Sequence, residues 1–237
     1  MNSYIPNQHG AWAMLIVPFL FGLSAGSFGW MQLLLFIGWL LIYLFSFPLL
    51  QWIKTGKTAR YKQPVLVYGA CLLPVVCALV WYRPALLLYG AALIPFFLIP
   101  AYYAKAKNER ALLNDMVAVL LFSSFVYPVM YLGSGENWWH AHELFAISAV
   151  YFAGTVFYVK TVIREKNNPR FYAASLVYHL AAVAAMGCIE PMLMLPFGIL
   201  FVRAALLPKR GIKAKQSGIA EIGFSAMLVM MTLLLVF

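Results

Sequence analysis

The chain has 237 residues, of which 64% are apolar or aromatic and only 10% are charged; that balance excludes a water-soluble fold, because too little polar surface exists to cover the rest. In a bilayer each spanning helix takes about 20 mostly apolar residues, so this length holds roughly eight to ten spans joined by short loops. The net charge of +10 does not point to nucleic acid, since every basic cluster is a short connector between apolar runs.

In chain order, hydropathy predicts spans near residues 10–26, 30–50, 64–82, 84–103, 112–132, 142–159, 172–190, 191–207 and 219–236. The segment from Met1 to Gln8 holds no Lys or Arg and no signal-peptidase pattern, so the first run is read as a retained span. At Arg83-Pro84 and Glu190-Pro191 the combined apolar runs are too long for one crossing, and each proline is expected to open a new helix after a tight turn. Backbone groups cannot go unpaired in lipid, so the spans are helical. Pro18, Pro48, Pro74, Pro95, Pro128 and Pro196 are expected to kink them. Trp30, Trp52, Trp81, Trp138 and Trp139 fall at span ends, where aromatic rings favour the headgroup layer. Cys71, Cys77 and Cys188 lie in apolar runs and are expected as small buried thiols.

Basic residues give an independent check on the count. Sixteen of the 17 Lys and Arg residues lie after the second, fourth and sixth spans or at the end of the eighth and in the loop that follows it, where Arg203 opens the cluster, and only Arg83 falls on the other side. One helix too many or too few would scatter them. The expected fold class is therefore all-α, a polytopic transmembrane helical bundle of about nine helices. It forms a single integral membrane domain over residues 1–237, with the N-terminus and basic loops cytoplasmic, in a bacterial inner (plasma) membrane.

Polar groups near the cytoplasmic rim are the first candidates for a site. His9 opens the first span in Pro6-Asn7-Gln8-His9-Gly10-Ala11-Trp12, either capping a helix or contacting a ligand. Arg110, Asn114 and Asp115 begin the fifth span, with 110 and 114 on one face; Asp115 either joins a site or pairs with a neighbouring cation. Tyr158, Lys160, Arg164 and Glu165 leave the sixth. His140 and His142, near Glu136, are two apart and diverge on a helix, which disfavours a metal. His179 is expected as a hydrogen-bonded structural residue, because no second mid-membrane histidine is available to pair with it on haem. Glu190 and Glu221 are expected as rim or pairing residues. No P-loop, dinucleotide fingerprint, catalytic triad or paired-carboxylate motif is present, and neither a metal nor a cofactor is expected.

The Pro6–Trp12 stretch, the length and the helix count resemble the YwiC-like family of bacterial membrane proteins. More distantly, the plan is similar to UbiA-type prenyltransferases, which carry Asp-rich motifs after their second and sixth helices. The matching segments here are Gln51-Trp52-Ile53-Lys54-Thr55-Gly56-Lys57-Thr58-Ala59-Arg60-Tyr61-Lys62-Gln63-Pro64 and Tyr158-Val159-Lys160-Thr161-Val162-Ile163-Arg164-Glu165-Lys166-Asn167-Asn168. Every aspartate is missing. Those carboxylates hold the magnesium that binds diphosphate, so this resemblance implies that Mg-dependent prenyl transfer is absent. It leaves Lys54, Arg60, Lys62, Lys160 and Arg164 either to grip the anionic head of a lipid or isoprenoid-type amphiphile or only to set topology and touch anionic lipid.

Two functions follow. One is a degenerate prenyltransferase-like bundle that binds such a ligand in a cytoplasmic-facing cavity, with membrane lipids as partners and no nucleic acid. The other is a small transporter or respiratory accessory protein, which a continuous polar relay through the spans would favour.

Overall fold

The structure is a computed structural model that describes residues 9–212 and 214–235. It is helical, with no strand among the described residues. Among the described residues, eight helical segments are long and apolar enough to cross a membrane, and Gly10–Ser24 is a shorter apolar helix. The chain is a multi-pass membrane protein. The described residues fall into two compact units, Gly22–Ala141 forming the bulk of the first and His142–Phe237 that of the second.

Helix α1, His9–Ser24, groups with the second unit up to Phe21 and with the first from Gly22. Within the first unit, its end packs on α6, Val126–Leu132. A Cβ on Gly22 would overlap the Val129 side chain and the Val126 carbonyl, so only hydrogen permits this approach.

Helix α2, Trp30–Thr55, has 26 residues, about 39 Å at 1.5 Å per residue, and so outruns a hydrocarbon layer of about 30 Å. Its Gln51–Thr55 turn continues beyond the end of the apolar run at residue 50. Gly56, at φ 67°, closes the helix with its N–H on the Trp52 carbonyl, and α3, Thr58–Tyr82, starts two residues later. The Gln51–Pro64 segment, expected as a loop, is thus mostly the ends of two helices. Amphipathic continuation past the membrane is invisible to a hydropathy window.

Helix α3 ends at Arg83, which is extended at φ −140° and ψ 92°, as a residue before proline should be; α4, Leu86–Lys105, follows. The next span breaks into α5, Leu112–Ser123, and α6. Pro128 has no N–H for the Ser124 carbonyl, which instead accepts from Tyr127 N at 3.1 Å. The Leu121 carbonyl accepts the Ser124 hydroxyl at 2.8 Å, the local repair that a broken helix in lipid requires. The other internal prolines, such as Pro48, Pro95 and Pro196, sit within uninterrupted helices.

The second unit holds α7, Trp138–Ile163, which begins just before its boundary; α8, Pro169–Ile189; α9, Met194–Leu206; and α10, Ala214–Leu235. Asn168 caps α8 by accepting from Phe171 N at 3.2 Å, with Pro169 in the first turn. Glu190 is extended before Pro191, where a single 3-10 turn leads into α9. The three cysteines are free and exposed on the helix surfaces, which corrects the expectation of buried thiols. An apolar residue on a membrane helix faces lipid as readily as core.

Candidate functional site

In the second unit, polar side chains line one face of α10 at a spacing of four: Ser217, Glu221 and Ser225, each no more than 5% exposed. The spacing places them on one stripe about 12 Å long. Helix α7 answers with Tyr151, Thr155 and Tyr158, also buried. The two stripes bond to each other. Tyr151 OH and Ser225 Oγ are 2.8 Å apart, Thr155 Oγ1 donates to Glu221 Oε2 at 3.1 Å, and Ser217 Oγ lies 3.5 Å from Tyr158 OH. Ser225 Oγ donates to the Glu221 carbonyl at 2.7 Å, so the Tyr151 hydroxyl is the donor to Ser225.

Arg203, from the last turn of α9, completes this ladder. Its Nη1 donates to Glu221 Oε1 at 2.8 Å and to Oε2 at 2.7 Å, and the two side chains are 1% and 4% exposed. The guanidinium lies under the Tyr158 ring, 4.4 Å from its centroid, and 5.2 Å from that of Phe224. An arginine suits such a place because its planar ion can be sandwiched between ring faces while its edges donate.

Helix α8 supplies His179, 3% exposed. Its Nδ1 is 2.7 Å from the Ser175 carbonyl; a carbonyl only accepts, so Nδ1 carries the proton and Nε2 presents a lone pair. That lone pair faces Arg203 Nη2 at 3.4 Å. Gly154 of α7 makes room for the ring: an added Cβ would sit 3.2 Å from His179 Nε2 and 3.3 Å from the Tyr178 ring. Two buried polar atoms on these helices, Arg203 Nε and Ser175 Oγ, have no hydrogen-bond partner among the described residues.

The residues singled out from sequence are distributed otherwise. Lys54 pairs with Glu109 at 2.6 Å, and Asn114 Nδ2 donates to the Glu109 carbonyl at 2.8 Å, so these two candidates meet on a residue that sequence reasoning had not selected. Arg60, Lys62, Arg110 and Arg164 are exposed, while Asp115 is half-buried. Glu165 accepts from Asn168 at 2.8 Å, and Lys160 is buried. Tyr158 belongs to the Arg203 cluster. The His9 side chain and residues 6–8 lie outside the described residues. His140 is half-buried and His142 exposed. Glu221 does pair, as expected, but far inside the helix packing rather than at a rim. The signal for this site was present as the i, i+4, i+8 stripe Ser217, Glu221, Ser225.

Comparison with known proteins places the chain. The model of the YwiC-like protein family matches residues 5–131. The chain belongs to the YwiC-like family. It is 40% identical over 185 residues, 76% of this chain and 75% of the relative, to a Bacillus subtilis (strain 168) protein described as uncharacterized protein YwiC. It is 30% identical over 235 residues, 98% of each chain, to an uncharacterized Haemophilus influenzae protein. No solved structure matches it significantly. The family match falls mainly on the first unit, whereas the charged ladder lies in the second. The YwiC-like chain thus carries its most heavily buried charges outside the segment by which the family model identifies it.

Proposed function

We propose that this YwiC-like protein is a small membrane transporter whose pathway runs along the α7–α10 ladder, with the Arg203–Glu221 pair as its charge-responsive centre. The observation that carries this reading is that pair itself. Charge inside a bilayer is costly and is kept where it faces a pathway or a partner, and a buried ion pair adds little net stability over apolar packing of the same shape. Polar groups continue on both sides of it, and Arg203 Nε, without a partner among the described residues, marks where water or a permeating group would bond. A proton or small cation arriving at Glu221 would release Arg203 toward the His179 lone pair.

The matching experiment is solid-supported-membrane electrophysiology of the reconstituted chain under a pH step. A transient charge displacement is expected in the native protein, reduced at least tenfold in Glu221→Gln. Absence of any displacement in the native protein, or an equal one in the variant, sinks the reading.

On the charge bias we place the chain in a bacterial inner membrane with its basic turns cytoplasmic. A second reading, binding of a lipid or isoprenoid with an anionic head, is favoured by Arg60, Lys62 and Arg164, which are exposed at helix ends and pair with no carboxylate among the described residues. Native mass spectrometry of the purified chain tests it. Retained anionic amphiphile supports this reading, and none retained in native protein counts against it.

A further inference from the structure

Arg83 is the one basic residue away from the basic turns, against the charge bias of the whole chain. It is half-buried, with its guanidinium 5.6 Å from the Tyr82 ring centroid and 5.8 Å from that of Tyr131. Ring faces hold the cation but accept no in-plane hydrogen bonds, and no carboxylate pairs with it among the described residues. The N–H edges are left for an oxyanion.

Arg83 lines a shallow, open pocket of about 260 Å³ together with Tyr131, Ser134, Gly135, Glu136 and Trp138. At about 30 Å³ per water this is room for about nine heavy atoms. Glu136 is exposed and makes no ion pair with Arg83, so one cavity presents a cation and an anion held apart. Trp138 is stacked on Tyr127, centroids 6.5 Å apart, and forms an apolar wall.

The turn that carries Ser134 and Gly135 is anchored by hydrogen bonds behind it. Ser27 N and Oγ donate to the Gly133 carbonyl at 2.9 and 2.7 Å. Gln32, fully buried, donates to the Val129 carbonyl at 2.9 Å and accepts from Gly29 N at 2.7 Å. Side chains on Gly133 or Gly135 would collide with Ser27 or Ala25 backbone oxygens. Between them Ser134, at φ 52°, is the left-handed residue that closes α6, with Gly135 N donating to the Met130 carbonyl at 3.1 Å.

We infer that this cavity is a binding site for a small zwitterion, with an oxyanion on Arg83, an ammonium toward Glu136 and the carbon skeleton against Tyr131 and Trp138. The same chemistry is offered by a free α-amino acid and by an ethanolamine lipid headgroup. This site does not rest on the transport reading.

The test uses the full chain in phosphatidylcholine nanodiscs, titrated calorimetrically with alanine and, separately, with glycerophosphoethanolamine. One probe is expected to saturate with a dissociation constant below about 1 mM, weakened at least tenfold in both Arg83→Gln and Glu136→Gln. Saturation by alanine identifies a solute, and by glycerophosphoethanolamine a lipid headgroup. If neither probe saturates, or if Glu136→Gln, a change on an exposed side chain that leaves the packing intact, binds as tightly as the native protein, the inference is overturned.

Discussion

Arg203 and Glu221 satisfy one another in a region where neither could stand alone. Removing one partner of a buried pair leaves the other charge uncompensated, at a cost of about 3–5 kcal/mol, whereas replacing both with apolar groups is often neutral or better. Arg203→Met is therefore expected to unfold at a clearly lower temperature in detergent, and Arg203→Met combined with Glu221→Leu to recover most of the loss. The double variant also separates roles: recovered stability with no charge displacement assigns the pair to transport, while recovery of both would assign it to packing. Gly154 offers a subtler probe. Its neighbour His179 is held by the Ser175 carbonyl and Arg203, so the ring cannot yield to a new methyl, and Gly154→Ala should destabilise by about 1–3 kcal/mol. Chemical denaturation in micelles would measure it, and an unchanged midpoint would show that the ring does move.

At the scale of elements, close approach is decided by glycines of very different surroundings. Gly22 lets the end of α1 meet α6 at backbone distance, and a Cβ there overlaps atoms of a helix that cannot retreat. Gly90, within α4, would meet nothing within 4 Å. Gly22→Ala is expected to lose about 1–3 kcal/mol through overpacking, and Gly90→Ala to lose nothing, since alanine is the better helix former. Parallel thermal melts of the two variants check the contrast; equal losses would mean that helix composition, not contact, governs both. The break between α5 and α6 follows the same logic. Pro128 removes a donor, Tyr127 N takes up the freed Ser124 carbonyl and the Ser124 hydroxyl bonds the Leu121 carbonyl, so the irregularity is locally satisfied and compatible with lipid.

For the whole molecule, the distribution of Lys and Arg predicts an orientation that single-cysteine labelling in intact cells can read. In a background lacking Cys71, Cys77 and Cys188, a cysteine at Glu136 should react with a membrane-impermeant maleimide from outside. Cysteines at Lys57 or Lys166 should react only after permeabilisation. The reverse pattern would invert the topology and leave the charge bias without its usual cause.

Much of this architecture follows from composition along the chain. Apolar runs of spanning length, prolines at Pro84 and Pro191, and basic residues after alternate spans are one-dimensional features, and lipid enforces helices wherever such runs occur. The rim candidates were legible only as residue types. Whether Lys54 faces a ligand or the carboxylate of Glu109 depends on how α2 meets the α4–α5 connection, which no local pattern states. Arg203 looked like the first member of a basic loop cluster and Glu221 like a residue near a span end. Their meeting required α9 and α10 to present particular faces to each other, and burial then left each charge dependent on the other. The sequence by itself determined a multi-pass helical protein, because hydrophobic length and charge asymmetry act locally. Tertiary structure alone decided where its buried charge lies, because pairing is a property of helix faces and not of order along the chain.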